Sequence, residues 1–410
     1  MHTRRFQLFL RNISIVLAMI TMLSGLSAAA SYKRVYNFTG VPDGGDPATA
    51  LTFDGAGNAY GTTAAGGVAG LGTVFMLTPS GEEQVLYSFN GGFDGLDPHG
   101  GVILDSAGNL YGTAVAGGEG LCAGDGCGVV FELSPSDSGW TQKTLYAFTG
   151  GNDGFGPGSP LIFDNAGNLY GTTPDGGVHG MGVVFQLSPS AGGWKQTVIH
   201  AFTGKKDGAS GSLGSLIFDA SGNLYGVSEL GGANGAGAVW ELTPTARGPW
   251  TLTVLYDFKG LPDGANPYGG LIFDNNGNLY GTTYFGGAAG MGTVFQLAHG
   301  PNGAWEENTL YNFQGGTDGS FPTTTPFMDS TGTIYGTTST GGRPSCDCGT
   351  VFRLRLTHGQ WAEKIVHFFG RNHDGSYPNY GLTRDASGNL YGAAPAGGKG
   401  AQGIVFRLTP

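Results

Sequence analysis

Charge is the first thing in short supply. Asp, Glu, Lys and Arg together make up 12% of the 410 residues, and the 30 acids outnumber the 19 bases. A chain with that balance repels phosphate backbones, so nucleic acid is excluded as a partner. Cysteine is scarcer still, with four residues. Beyond the first thirty positions no run approaches the roughly 18 apolar residues that cross a bilayer as a helix, so the mature chain should not span a membrane. Catalytic signatures are missing too: there is no His-Glu-x-x-His and no Gly-x-Ser-x-Gly nucleophile elbow. Helix is disfavoured by what is abundant, since 80 residues are Gly. These glycines do not recur at every third position, which excludes collagen. Hydrophobic residues at 40% and aromatics at 12% supply a core, which excludes disorder.

The N-terminus reads as an export signal. Arg4, Arg5 and Arg11 precede the mostly apolar run Ile13 to Leu26, and Ser27-Ala28-Ala29-Ala30 offers small residues for cleavage near Ala30. Residues 1–30 are therefore assigned to a signal peptide and 31–410 to the folded protein, secreted or periplasmic and expected to be monomeric. The signal holds three Arg and no acid, so its loss takes the formal charge from -11 to -14. Export favours oxidation, and the cysteines fall in two pairs. Cys122 with Cys127, and Cys346 with Cys348, are expected to form local disulfides; a four-thiol metal site would have to join loops four repeats apart.

The organising feature is internal repetition. Asn58-Ala59-Tyr60-Gly61 recurs at Asn109, Asn168, Asn223 and Asn278, then as Thr333 to Gly336 and Asn389 to Gly392, at spacings of 51, 59, 55, 55, 55 and 56 residues. The fifth unit shows four β-rich runs bounded by turn residues. Call Leu271–Asp274 strand A, Asn278–Thr283 strand B and Thr293–Leu297 strand C; the next Leu-Tyr-x-Phe run is strand D. Asp54, Asp105, Asp164, Asp219, Asp274, Asp329 and Asp385 open an Asp-x-x-Gly-Asn turn, where the carboxylate is expected to accept amides two and three residues on. The chain begins with a lone strand, Arg34 to Phe38, and stops at the third strand of the last unit. Ring closure by that first strand predicts an all-β, seven-bladed propeller with four antiparallel strands per blade and no exposed sheet edge.

Three elements recur in order through the mature chain: Asp-Gly-x-x-Pro, Asp-x-x-Gly-Asn-Leu-Tyr-Gly-Thr, and Gly-Gly-x-x-Gly-x-Gly-Thr-Val-Phe. They resemble the GloVer tandem repeat of "choice-of-anchor" bacterial surface proteins. The resemblance implies an exported bacterial protein with propeller-like repeats; it carries over no catalytic or binding residue. No sorting segment follows the last unit, so covalent anchoring is not expected.

Antiparallel strands put the A–B and C–D turns on one face and the B–C and D–A loops on the other. The second face, with its Gly-Gly and Asp-Gly-x-x-Pro loops, is the place to look for binding. Asp43, Asp94, Asp153, Asp207, Asp263, Asp318 and Asp374 recur there, as a carboxylate ring for Ca²⁺ or a cationic ligand, or as seven local loop organisers. The seven-fold recurrence favours the second reading, and no cofactor is expected. Residues that break the repeat speak to specificity. His99, Tyr268 and Tyr380 follow the loop Pro, and Tyr284, Arg343, Glu229, Asp175 and His179 vary in or just before the Gly-rich loops. Strand A should line the channel and is apolar, with Thr383 and Arg384 as exceptions, which counts against a metal-dependent hydrolase. A non-catalytic module binding carbohydrate or a protein of the cell envelope is therefore the leading expectation. A polysaccharide lyase or hydrolase, with Glu229, Asp175 and His179 as its cluster, is the alternative, and a purely structural scaffold is the third.

Overall fold

The computed structural model describes residues 30–410 except 119, 121, 123, 212, 213, 247, 248 and 372; the expected signal peptide lies outside the described residues. Seven sheets are arranged as the blades of a propeller. Blade 1 comprises Thr52–Phe53, Ala59–Ala65, Thr73–Leu77 and Glu83–Ser88 as strands A to D. In blade 5 the same strands are Ile272–Phe273, Leu279–Thr283, Thr293–His299 and Trp305–Asn312. Among the described residues helix is confined to two single 3₁₀ turns, Gly92–Asp94 and Gly316–Asp318, both in D–A loops. Blade 7 takes its fourth strand from the start of the chain: Ser31–Asn37 pairs antiparallel with Ile404–Thr409, Ser31 opposite Thr409 and Asn37 opposite Ile404. No helix among the described residues is long and apolar enough to cross a membrane.

Each A–B hairpin is closed by its Asp. One carboxylate oxygen of Asp54 accepts the amides of Ala56 at 2.9 Å and Asn58 at 2.8 Å, and the other accepts the Asn58 side chain and the Tyr60 hydroxyl. The amides are thus two and four residues on, not two and three. Gly57 intervenes in a left-handed conformation (φ 85°), turning its own amide to the Asp54 carbonyl instead. Burial opposes the ionised carboxylate, but the hydrogen bonds from Asn58, Tyr60 and Ala56 win and hold Asp54 below the ordinary value.

The blades are joined by aromatic pairs. Each strand D ends in a Phe that meets the aromatic of strand C in the next blade, edge to face or tilted. Phe38–Phe75, Phe89–Phe131, Phe148–Phe185, Phe258–Phe295, Phe313–Phe352 and Phe369–Phe406 have centroids 5.1–5.2 Å apart, and Phe202–Trp240 5.8 Å. All are fully buried. Such pairs contribute about 0.5–1.5 kcal/mol each beyond the area they bury. Room for the strand C ring comes from the Gly of Tyr-Gly-Thr in strand B. A Cβ at Gly281 would stand 2.5 Å from the tip of Phe295, and the same clash recurs at Gly61, Gly112, Gly171, Gly226, Gly336 and Gly392. Every strand D also carries a one-residue bulge opposite strand C, at Val35, Leu86, Leu145, Ile199, Leu255, Leu310 and Val366. Strand A is innermost and largely apolar. Thr52 is a further polar residue there, and its hydroxyl donates to the Val102 carbonyl of the neighbouring blade at 2.5 Å.

One strand D register position links blade to loop. Gln142 Nε2 donates to the Asp94 carbonyl at 3.2 Å and Gln196 Nε2 to the Asp153 carbonyl at 3.1 Å. Glu83, Glu307 and Glu363 hold the same place, each opposite the Leu of strand C. One buried oxygen of Glu83 and one of Glu363 lack a hydrogen-bond partner. Burial, with the Asp43 charge adding to it, pushes Glu83 up to about 7, and burial with Asp318 pushes Glu363 up to about 7. A protonated carboxyl carries the hydrogen that the Gln amides carry.

The seam and this register position can each be tested. Gly281→Ala should destabilise the protein by about 1–3 kcal/mol in urea unfolding, through overpacking against Phe295; Phe295→Leu added to it should recover part of the loss, and an unchanged midpoint would refute the seam. The second test concerns pH. Because the folded chain holds the Glu83 and Glu363 protons more tightly than the unfolded chain, their stabilisation is complete below the unfolded value near 4.5 and is lost as pH rises to about 7. The double variant Glu83→Gln/Glu363→Gln should flatten the fall in melting temperature between those limits; retention of the full slope would assign it to other groups.

Candidate functional site

The loops of the B–C and D–A face interlock from blade to blade before they form a site. An equivalent residue of every D–A loop lies in the left-handed region: Asp46, Asp97, Gly156, Ser210, Asn266, Phe321 and Tyr377, with φ between 53° and 70°. Each donates its amide to a B–C loop carbonyl of the preceding blade, at Gln402, Leu71, Cys127, Met181, Ala236, Met291 and Cys348, over 2.8–3.0 Å. In six units the next residue is Pro, and its ring seats against a B–C loop Gly of that preceding blade, where any Cβ would collide, as with Pro98 on Gly72 and Pro267 on Gly237. A non-Gly residue at positive φ costs on the order of 1–3 kcal/mol. Six of the seven positions bear that cost, so their side chains are held at a strained ring around the channel.

At the centre of the face a cavity of about 750 Å³ opens on the propeller axis, and all seven blades line it. The residues just ahead of strand A form its wall, among them Ala50, His99, Ser215, Tyr268, Thr324 and Tyr380. Glu229 enters from the end of strand B of blade 4 (Leu224–Leu230), Tyr284, Phe285 and Ser339 enter from B–C loops, and Ile272, Phe327 and Leu382 supply apolar surface from strand A.

Two clusters dominate the wall. In the first, His99 Nε2 pairs with Asp97 at 2.8 Å and its ring stands edge-on to Tyr380, centroids 6.0 Å apart. Burial works against a charged imidazole, but the hydrogen bond to Asp97 and the charges of Asp97 and Asp46 outweigh it and lift His99 above its ordinary value. Burial raises the Asp46 carboxyl, with His99 opposing and Asp97 reinforcing. In the second cluster Tyr284 and Phe285 stand perpendicular at 4.5 Å, and Phe321 stacks on Tyr284 at 5.0 Å while meeting Phe285 edge-on at 5.5 Å. Tyr268 closes the corner 6.3 Å from Tyr284. Pairing of Gly264–Ala265 with Phe285–Gly286 fixes the backbone beneath Phe285, whose side of the corner is 44% exposed. Glu229 lines the same cavity; burial raises its carboxyl, and burial with the Glu229 charge adding to it raises Tyr268.

The structure therefore brings His99, Tyr268, Tyr284, Tyr380 and Glu229 to one cavity. It places Arg343 elsewhere, over the Phe368 ring at 5.7 Å, in the B–C loop closed by the Cys346–Cys348 disulfide. The Cys122–Cys127 disulfide closes the corresponding loop of blade 2. Asp175 and His179 are exposed on the blade 3 B–C loop and do not line the cavity with Glu229. The loop carboxylates are engaged within their own units: Asp263 accepts the Tyr256 hydroxyl and the Lys259 amide, Asp374 the His367 ring and the Gly370 amide, and Asp43, Asp94, Asp153, Asp207 and Asp318 repeat the arrangement. Asp46, Asp97 and Phe321 are residues that repeat-breaking alone did not single out; their common signal is the place immediately before the loop Pro.

A titration tests the first cluster. Followed by NMR, His99 should lose its proton above the ordinary imidazole range, and Asp97→Asn should move that titration down; an unmoved His99 would separate it from Asp97. Since the folded value is the raised one, the pair stabilises the protein below the unfolded imidazole value and ceases to do so as pH rises through the folded value.

The family model described as the Gloeobacter/Verrucomicrobia repeat matches residues 22–162, 85–260 and 213–410. No curated protein sequence matches the chain. Among solved structures, a gluconolactonase candidate aligns at 15% identity and a TM-score of 0.42, covering 83% of this chain and 95% of its own. A glucose dehydrogenase-type oxidoreductase candidate from Thermus thermophilus aligns at 15% identity and 0.44, covering 93% and 100%. A protein of unknown function from Dyadobacter fermentans aligns at 8% identity and 0.47, covering 93% and 99%.

Proposed function

The chain belongs to the Gloeobacter/Verrucomicrobia repeat family, and from that premise we propose that it is an exported, non-catalytic propeller that binds a carbohydrate of the cell envelope or its surroundings at the channel mouth. One observation carries this reading. An axial cavity of about 750 Å³ presents the rings of Tyr268, Tyr284, Phe285 and Tyr380 together with the hydroxyl and amide groups of Thr323, Ser339 and Asn379. Flat rings stack on the apolar faces of sugars while such polar groups bond their hydroxyls. The leader-like residues 1–30 and the two disulfides support export, to the periplasm or beyond.

An enzyme acting on extracellular polysaccharide is the second reading, favoured by the raised Glu229 carboxyl at the cavity. Glycoside hydrolysis by paired carboxylates needs a second acid roughly 5–10 Å away. Among the described residues lining the cavity Glu229 is the only carboxylate, so the binding reading is preferred.

The test exposes the purified protein to soluble and insoluble polysaccharides, with and without Ca²⁺, and reads retention and release of new chain ends together. Retention without release is expected, weakened about tenfold (~1.4 kcal/mol) by Tyr268→Ala or Tyr380→Ala. New reducing or unsaturated ends would overturn the non-catalytic reading. Neither retention nor release would transfer the case to a scaffold that binds protein.

A further inference from the structure

Glu229 is a half-buried carboxylate with nothing to balance it. Among the described residues no group hydrogen-bonds or ion-pairs with its side chain, and the nearby Asn266 amide reaches only its backbone carbonyl, at 3.3 Å. No Lys or Arg is among the described residues that line the cavity. The imidazole at the wall, His99, is already paired with Asp97. Withdrawing a carboxylate from water without a partner is costly, and proteins retain such a group where something else supplies the counter-charge.

The surroundings of Glu229 say what that something is. The perpendicular rings of Tyr284 and Phe285, with Phe321 behind and Tyr268 across, form a corner of π-faces and edges in the cavity that Glu229 also lines, and Glu229 is near enough to Tyr268 for its charge to act on that hydroxyl. An ammonium group is attracted to the faces of such rings and to the anion at once, more strongly as the site dries. A carboxylated or sulfated sugar would meet the opposite conditions, Glu229 repelling it with no cation in the wall to offset the repulsion. The mature chain's formal charge of -14 attracts the same sign of ligand from a distance.

We propose that the Glu229 corner is an ammonium-binding subsite and that the ligand of the channel mouth is a glycan bearing free, protonated amino groups. This rests on the carbohydrate reading above and adds the charge class to it.

The experiment uses isothermal titration of the purified protein at low and moderate salt with three probes. These are a glucosamine trimer, its fully N-acetylated counterpart, and tetramethylammonium, which is charged at every pH. The glucosamine trimer should bind at least tenfold more tightly than the acetylated one, with affinity falling as salt rises. Glu229→Gln, nearly isosteric, should erase that preference while leaving thermal unfolding as in the parent protein. Tyr284→Leu should weaken both the glucosamine trimer and tetramethylammonium. Equal binding of the two trimers, unchanged in Glu229→Gln, would overturn the ammonium subsite and leave the carbohydrate reading standing. Binding of tetramethylammonium with neither trimer bound would uphold the subsite and overturn the carbohydrate reading. Binding of no probe would overturn the ammonium subsite, while the carbohydrate reading stands or falls on the polysaccharide panel above.

Discussion

The contact on which everything else depends is the burial of one aromatic ring against another between neighbouring blades. A four-stranded blade of this length cannot bury both of its faces alone. Phe258 against Phe295, and its six counterparts, turns each blade's exposed face into the next blade's core. The pairing dictates sequence on the adjacent strand, because the ring of strand C occupies the space that a side chain on strand B would need. The Gly of every Tyr-Gly-Thr is there for its neighbour's sake. Trp240 shows the tolerance of the arrangement: the larger ring in blade 4 widens the pair to 5.8 Å and still lies fully buried.

The seam settles the angle between blades, and the loops convert that angle into a rim. Amides of Asp97, Asn266 and Phe321 reach the previous blade's carbonyls only from a left-handed conformation, so inter-blade bonding and backbone strain are one arrangement. A Gly would relieve the strain. In six of seven units a side chain stands there instead, and three of them, Asp46, Asp97 and Phe321, belong to the two clusters at the cavity. Structure and candidate function therefore share a backbone position, and the acidic and aromatic character of the mouth is written into residues that also hold the ring shut.

Much of the fold is legible without coordinates because repetition within one chain stands in for an alignment. The Asp-x-x-Gly-Asn turn recurs too regularly to be catalytic, and its hydrogen bonds are structural; the expected amides differ from the observed ones by one residue because the hairpin closes around Asn58, not Gly57. At the site, His99, Tyr268, Tyr284 and Tyr380 are legible as departures from small residues. Asp46 and Asp97 are not, since a residue before Pro reads as extended and the residue there varies among the units from Asp to Gly, Ser, Asn, Phe and Tyr. Asp175 misleads for a reason of register. It stands one residue nearer its Gly-Gly pair than Glu229 does, a position from which the broad ring of Phe285 reaches the cavity and the short carboxylate of Asp175 does not.

The strand that completes blade 7 has a consequence in time. A chain is made from its amino end, so Ser31–Asn37 exists well before its partner strand Ile404–Thr409, with blades 1 to 6 made between them. Until then the leading segment has no mate, and blade 1 lacks the Phe38 ring that covers Phe75. Six blades can assemble in order as they appear, each capping the one before, yet the circle stays open with an adhesive edge at both ends of the arc. Closure of the ring is therefore a single late event, set by the arrival of Ile404–Thr409. The interval before it is when a chaperone would have most to hold.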